Sequence, residues 1–255
     1  MSRRGGPRFI DVHCHLHDKA FDNDRDEVVE RALKSGVEII ITSTLSTQEL
    51  KKALDIAEKY DCVKVSAGFN PLNFSVLDAE EVAREIKRLR DKIVAIGEVG
   101  LDFFYARGEE RERQVDIFRF WISLASELKL PLVIHSRSAG KYAIEVLVKE
   151  GYDRVLMHAF DGSSGWALKG VSRGFMFSIP PSVMRSQQKV KLVKSIPIEH
   201  LMVESDAPVL GPEPEKRNEP SNVVVSATKI AEIKGVDLNE ACEVLYLNSK
   251  SFFRF

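Results

Sequence analysis

The stretch "FIDVHCHL" (residues 9–16) has the composition of a buried strand, yet it carries one carboxylate and two imidazoles. Because successive side chains of a strand point to opposite faces, Asp11, His13 and His15 are expected to share one face. The other face is then expected to be apolar, with Ile10, Val12, Cys14 and Leu16. This strand has the composition of a core element but also carries two imidazoles. It therefore predicts the first part of a polar site that later strands complete.

Apolar runs rich in β-branched residues recur along the chain, in the segments 8–16, 37–44, 63–69, 92–100, 131–137, 154–160, 174–180 and 200–206. Their near-continuous hydrophobicity is typical of strands that are buried on both faces of a parallel sheet. Segments with helical periodicity lie between them, at 24–36, 47–60, 79–90, 109–128, 139–150, 164–172 and 186–195. The tail, 221–250, is predicted to form two further helices that meet near Gly235.

Eight strands alternating with helices predict a closed (β/α)₈ TIM barrel of parallel strands, with surrounding helices and an extra C-terminal helix. An open doubly wound sheet is the structural alternative. Such a sheet often has a glycine-rich phosphate loop after its first strand, where this chain has histidines. Since no linker or internal repeat divides the sequence, residues 1–255 are predicted to form a single domain.

Composition narrows the functional classes. The chain is 44% hydrophobic and 29% charged, which excludes disordered and fibrous proteins. A net charge of −1 argues against a general polyanion-binding protein but leaves nucleic acid possible as a substrate. Three scattered cysteines, an N-terminal stretch (1–9) without an apolar run, and no long apolar segment predict a cytoplasmic protein without membrane contact.

Polar side chains interrupt five of the strand segments near their carboxyl ends: His13 and His15, Glu98, His135, His158 and Asp206. A barrel gathers those ends at one mouth. Four imidazoles and two carboxylates form a ligand set for divalent metal, large enough for two ions that a carboxylate bridges. Each residue alone is more often structural, but six such groups buried together without a metal would be costly.

Three further polar residues are predicted to lie outside this ligand set. Asp11 is predicted to point inward, two residues before His13 and so deeper in the barrel. There it is expected to form a hydrogen bond in the barrel core, or to support a ligand, rather than to bind metal. His17 lies beyond the expected strand end and is predicted to be exposed to solvent. His200 precedes the last strand and is predicted to be a surface residue at the end of the barrel opposite Asp206.

An ordered series of motifs spans the chain: "FIDVHCHL", "IGEVGLDFF", "VIHSR", "MHAFDGS", "VESDAP", "KRNEP" and "LNSKSFF". The series closely resembles the TatD family of metal-dependent deoxyribonucleases, within the amidohydrolase-like barrel superfamily. The resemblance implies a hydrolase that cleaves phosphodiester bonds of DNA, in this family often as a 3′→5′ exonuclease on single strands. DNA is then the expected substrate, and no stable protein partner is expected.

The resemblance also implies a cofactor of two divalent cations, with Zn²⁺, Mg²⁺ and Mn²⁺ all open. His13 and His15 would bind one ion, and His135 and His158 would bind the second. Glu98 would bridge or help to hold both.

Three more residues take roles by the same resemblance. Asp206 would ligate the first ion, and we hypothesise that it accepts a proton from the attacking water. Arg137 lies two residues after His135 and could reach a non-bridging phosphate oxygen. In the turn "GFNP", Asn70 stands where the family usually has a histidine, so this chain has a hydrogen-bonding amide in place of a cationic acid.

Two alternatives remain open at the level of sequence. The first is another metal-dependent hydrolase of the superfamily: an amidohydrolase, a lactonase or an aminoacyl-tRNA deacylase. Many such enzymes bridge their metals with a carboxylated lysine from the fourth strand, where this chain has Glu98, and Lys92 lies at the wrong end of that strand. The second is a non-catalytic binding barrel, which predicts a loss of ligands that the sequence does not display.

Overall fold

A computed structural model describes residues 6–255, so the first five residues of the N-terminal stretch lie outside it. Its eight parallel strands are β1 (Phe9–Cys14), β2 (Val37–Thr44), β3 (Val63–Ala67), β4 (Ala95–Gly100), β5 (Leu132–His135), β6 (Val155–Met157), β7 (Met176–Ile179) and β8 (Leu201–Val203). They pair in chain order within one sheet. Just beyond β8, the Asp206 amide donates to the His13 carbonyl oxygen (2.9 Å), which brings the two edges of the sheet together. The predicted (β/α)₈ barrel is confirmed.

Nine α-helices surround the described barrel: α1 (Arg25–Lys34), α2 (Thr47–Lys59), α3 (Val76–Arg88), α4 (Glu109–Leu128), α5 (Gly140–Glu150), α6 (Ser164–Val171), α7 (Gln187–Ser195), α8 (Val223–Lys234) and α9 (Leu238–Phe253). The last two meet at Gly235, whose φ of 67° gives the left-handed conformation that ends α8. The extra C-terminal helix is therefore confirmed. No helix within residues 6–255 has both the length and the apolar character needed to cross a bilayer.

Serine side chains mark the start of four of these helices. Each accepts a hydrogen bond from the backbone N–H three residues further on, at Ser46, Ser75, Ser163 and Ser186. Such a cap satisfies a donor that the first helical turn leaves without a partner. It fixes where each connecting loop ends at the carboxyl edge of the barrel.

Two apolar clusters fill the structure. The inner one contains Ile10, Val12, Ile41, Ala95, Val133, Leu156 and Met202, together with Tyr246 and Phe253. Since these strand residues come from six strands, the cluster occupies the inside of the barrel. Tyr246 and Phe253 belong to α9, which covers one end of that core. The larger cluster packs the helices against the outside of the strands.

The first strand departs from strict alternation. Ile10 and Val12 belong to the inner cluster, whereas Cys14 and Leu16 belong to the outer one, so the prediction of a single apolar face was wrong. The pairing of β1 with β2 shifts register between Asp11 and Cys14. Such an irregularity changes which side chains point inward, and it allows a buried apolar strand to deliver two histidines at its end.

Candidate metal centre

The carboxyl edge of the barrel brings all six predicted side chains together. His13 Nε2 lies 3.5 Å from Glu98 Oε2 and 3.5 Å from Asp206 Oδ1. His15 Nε2 lies 3.6 Å from each of the same two oxygens. Two histidines at the end of the first strand therefore face one oxygen from each of two carboxylates.

The other histidine pair faces the second oxygen of Glu98. His135 Nδ1 forms a hydrogen bond with Glu98 Oε1, and His158 Nε2 lies 3.7 Å from that oxygen. Three groups have possible ligand atoms within 4.8 Å of one another: His13, His15 and Glu98; Glu98, His135 and His158; and His13, His158 and Asp206. Glu98 is thus common to two groups that otherwise contain different histidines.

Glycine lets β4 place Glu98 between its neighbours. A Cβ atom added at Gly97 would lie 2.6 Å from the Val133 Cβ, and the φ of 153° at Gly97 is one that side chains rarely allow. The close packing of β4 on β5 therefore requires glycine directly before Glu98.

Hydrogen bonds on the far side of two imidazoles define which nitrogen carries the proton. His15 Nδ1 lies 2.9 Å from the carbonyl oxygen of Ser43, which can only accept. His158 Nδ1 lies 2.7 Å from Glu204 Oε2. In the neutral form of each ring the proton is therefore on Nδ1, and the Nε2 lone pair is directed toward the carboxylates, as a metal ligand requires.

Glu204 is fully buried and organises the β6–β8 side of the centre. Besides His158, it accepts hydrogen bonds from the Ser178 hydroxyl (2.6 Å) and from the Ala159 amide (2.8 Å). Sequence reasoning missed this residue, although it interrupts the strand segment 200–206 just as Asp206 does.

Asp102 was missed as well. Its Oδ2 lies 3.1 Å from His135 Nε2, on the side of the ring away from Glu98. The available signal was the acid of the quoted motif "IGEVGLDFF", two residues beyond the end of β4. His135 is therefore held between two carboxylates.

A buried nitrogen without a partner tests whether these residues fit a metal. Within residues 6–255, His13 Nε2 has no hydrogen-bond partner, although it is fully buried between Glu98 and Asp206. Leaving such an atom unsatisfied costs about 1–3 kcal/mol. A cation ligated by that nitrogen and the neighbouring oxygens removes the cost, and imidazole with carboxylate is a donor set that divalent metals accept. The residues fit.

The neighbouring histidines favour the ionised form of both carboxylates. Burial raises the pKa of Glu98, but the nearby histidines outweigh it and hold this pKa well below its usual range. Asp206 behaves in the same way, mainly because of His158. Burial opposes protonation of the histidines, yet the carboxylates raise the pKa of His15 to about 9 and that of His135 to about 10. A metal ion bound by these two rings would therefore have to displace protons from them.

The loop that carries Asp206 is held by the motif "KRNEP". Asn218 is buried, and its side-chain amide donates to the carbonyl oxygens of Ser205 (2.6 Å) and Val209 (2.8 Å). Asp11 supports the same loop, because its carboxylate accepts from the amide (2.8 Å) and the hydroxyl (2.6 Å) of Ser205. The predicted buried hydrogen bond of Asp11 is present, but the inward direction predicted for its side chain was wrong, because its neighbours Ile10 and Val12 are the residues that face the barrel interior.

The expectation for His17 was wrong. Only 5% of this residue is exposed. Its Nδ1 lies 3.0 Å from the Thr42 hydroxyl, and its Nε2 lies 3.2 Å from Glu49 Oε2. The chain turns after β1 and buries His17 against β2 and the first turn of α2. His200 is half-buried, which is compatible with the predicted surface position, and its ring bonds to the Phe175 carbonyl oxygen.

Asn70 and Arg137 are both exposed, on the loops that follow β3 and β5. Asn70 Oδ1 accepts a hydrogen bond from the Leu72 amide (2.9 Å), so the side-chain oxygen serves the turn. The Arg137 guanidinium lies 4.0 Å from the centre of the Phe104 ring. Neither residue belongs to the groups of possible metal ligands found within residues 6–255.

Glu204→Gln is expected to weaken metal affinity by about 10- to 100-fold, because the variant keeps the shape but removes the charge that orients His158. A competition titration against a chromophoric chelator measures the change. Glu199→Gln is a matched control, since Glu199 is exposed and precedes β8 at the other end of the barrel. An unchanged affinity for Glu204→Gln would show that His158 needs no such support.

The resemblance carried by these motifs extends over nearly the whole chain. A family model described as "TatD related DNase" matches residues 10–254. The chain belongs to this family. Among TatD relatives, human "Deoxyribonuclease TATDN3" is 39% identical over 264 residues, which cover 98% of this chain and 96% of that protein. The "3'-5' ssDNA/RNA exonuclease TatD" of Erwinia amylovora is 30% identical over 258 residues, with coverage of 96% and 99%.

A solved TatD structure has the same fold. The crystal structure of YJJV, a TATD homolog from Escherichia coli, superimposes with a TM-score of 0.90 at 26% identity and covers 97% of this chain and 98% of its own. The enzymatic names of the TatD relatives identify this chain as a hydrolase. They favour the nuclease branch over both alternatives that the sequence left open.

Proposed function

We propose that this protein is a metal-dependent deoxyribonuclease that removes nucleotides in the 3′→5′ direction from single-stranded DNA. The observation that carries the proposal is the position of Glu98, whose two oxygens face different pairs of histidines. The names of the TatD relatives from human and Erwinia supply the substrate class and the polarity.

The cofactor is proposed to be two divalent cations, drawn from Zn²⁺, Mg²⁺ and Mn²⁺. Their ligands would be His13, His15 and Asp206 for one ion, and His135 and His158 for the other, with Glu98 common to both. When bound, such a pair lowers the pKa of a water molecule and neutralises charge on the phosphate during in-line displacement.

The protein's own side chains then have three tasks. Asp206, whose carboxylate is ionised, accepts the proton that the attacking water loses. Arg137 donates hydrogen bonds to a non-bridging phosphate oxygen. The amide NH₂ of Asn70 donates to the substrate strand, since its oxygen already serves the turn.

We place the protein in the cytoplasm, without a membrane or a stable protein partner. Cys14, Cys62 and Cys242 are free thiols, which suits a reducing compartment.

Removal of metal is expected to lower the rate of DNA hydrolysis by at least about 100-fold. The reason is that the cations which activate the water and neutralise the charge on the phosphate would be lost. Metal analysis of the purified protein should find about two ions per chain. The assay uses single strands labelled at either end, before and after chelation, followed by readdition of each cation.

The matched control is His200→Gln, which changes a histidine at the opposite end of the barrel. This variant should keep wild-type metal content and rate. Hydrolysis that persists in excess chelator, in protein without metal, would overturn the proposed function.

A further inference from the structure

Two adjacent aromatic side chains stand exposed on the loop between β4 and α4. Phe104 is 48% exposed and Tyr105 is 55% exposed. Their ring centres lie 4.9 Å apart, with the planes nearly perpendicular at 88°. Large aromatic surfaces left open to solvent are typical of binding sites rather than of cores.

The backbone ties this pair to the candidate metal centre. Asp102 Oδ1 accepts hydrogen bonds from the amides of Phe104 (3.1 Å) and Tyr105 (3.2 Å). The other oxygen of Asp102 lies 3.1 Å from His135 Nε2. One carboxylate therefore fixes the aromatic pair relative to a proposed metal ligand.

Three arginines surround the same loop. The Arg137 guanidinium lies 4.0 Å from the Phe104 ring centre and 5.1 Å from the Tyr105 ring centre. The side chains of Arg107 and Arg111 both donate to the carbonyl oxygens of Phe103 and Ala106. Within residues 6–255, none of the three pairs with a carboxylate, so their charge is available to a polyanion.

We propose that Phe104 and Tyr105 form a platform on which unpaired bases of the substrate stack, while Arg137 holds the adjoining phosphate. The proposal rests on the proposed function, because it assumes a nucleic-acid strand at the metal centre. Aromatic side chains beside cationic ones are the recurrent means of holding single strands without regard to sequence. The aromatic pair follows β4 and Arg137 follows β5, and the two lie in contact at the mouth of the barrel.

The platform selects for strands that are not base-paired. In a duplex the faces of each base are covered by its neighbours, and exposing one costs unstacking energy. A free 3′ end can offer its bases to the rings without that cost. Phe104 and Tyr105 are therefore specificity-determining residues for single strands.

The decisive experiment compares two eight-nucleotide probes, oligothymidylate and a base-free strand of tetrahydrofuran units. Fluorescence anisotropy measures the Kd of each for the full chain carrying Glu98→Gln, which prevents hydrolysis during the titration. The double change Phe104→Ala and Tyr105→Ala should raise the Kd of oligothymidylate by about tenfold or more. The Kd of the base-free strand should rise by a clearly smaller factor, because that strand has no base to stack and is affected only through the packing of Arg137 on the rings.

Two further variants separate stacking from general damage. Phe104→Tyr with Tyr105→Phe keeps both rings and should retain the preference for bases. Phe120→Ala removes an aromatic ring that is 37% exposed on α4, and it should leave both Kd values unchanged. In the enzyme with its native centre, the alanine pair should raise KM on single strands with little change in kcat.

Equal Kd increases for the two probes, or no increase for either, would overturn the platform. So would a failure of the Glu98→Gln chain to prefer oligothymidylate over the base-free strand. The proposed function is decided separately, by whether the wild-type chain hydrolyses DNA. A chain that binds bases through these rings but cuts no DNA would retain the platform and lose the nuclease.

Discussion

Replacing Glu98 by glutamine is expected to lower kcat/KM on single-stranded DNA by about a thousandfold or more. Loss of one supporting partner of a metal ligand already costs about 10- to 100-fold. Glu98 is itself a proposed ligand rather than a supporting partner, because its two oxygens face both histidine pairs. Its loss is therefore expected to cost more. Glutamine keeps the volume, but it replaces one of the two acceptor oxygens by an NH₂ donor and removes the negative charge that two cations would share. Metal content and the rate of strand hydrolysis should fall together.

The control for this change is Glu199→Gln, an exposed glutamate at the far end of the barrel. It should keep the wild-type rate and metal content. A thermal unfolding transition that is unaltered in Glu98→Gln would exclude general misfolding. If Glu98→Gln binds two metals and digests DNA at the wild-type rate, Glu98 is not the shared ligand.

Replacing Asp206 by asparagine is expected to lower kcat by about 10²- to 10⁴-fold, the usual contribution of a positioned general base. Asparagine retains an oxygen in the place where Asp206 Oδ1 faces His13 and His15. It has no basic carboxylate, and so it cannot take the proton from water. Single-turnover rates, measured with saturating metal, separate the loss of a base from the loss of a ligand.

Asp153→Asn is a suitable control, because Asp153 pairs with Arg173 before β6, at the opposite end of the barrel from Asp206. Its rate should match that of the wild type. The two roles proposed for Asp206 give different outcomes in the mutant. Restoration of the rate by excess metal would limit Asp206 to ligation, whereas a rate that stays low at full occupancy supports the proton-acceptor role.

Sequence reasoning predicted the barrel well because its signals are local. Each strand segment is a short apolar run, and each helical segment has its own periodicity. Some helices also have a local start signal, such as the serine before α2 and before α7. The strand order followed, since parallel strands joined by helices have few permitted connections. The exact alternation within β1 did not follow, because a register shift depends on the neighbouring strand.

The supporting residues of the centre were harder to find. Glu204 and Asp102 contact His158 and His135 across 46 and 33 positions of sequence. His17 contacts Glu49 across 32 positions, which is why a residue past the strand end could be buried. An isolated acid or histidine in a sequence does not reveal which partner the fold will bring to it.

The chain's own pattern of residues determined the eight-stranded barrel and the edge at which its polar groups gather, because periodicity and strand direction depend on near neighbours. Tertiary packing alone decided which oxygen faces which imidazole and which buried acid orients each ring. It also decided that two exposed aromatic side chains are fixed beside the candidate metal centre. These features depend on contacts between distant segments, where distances of a few ångströms set the electrostatics.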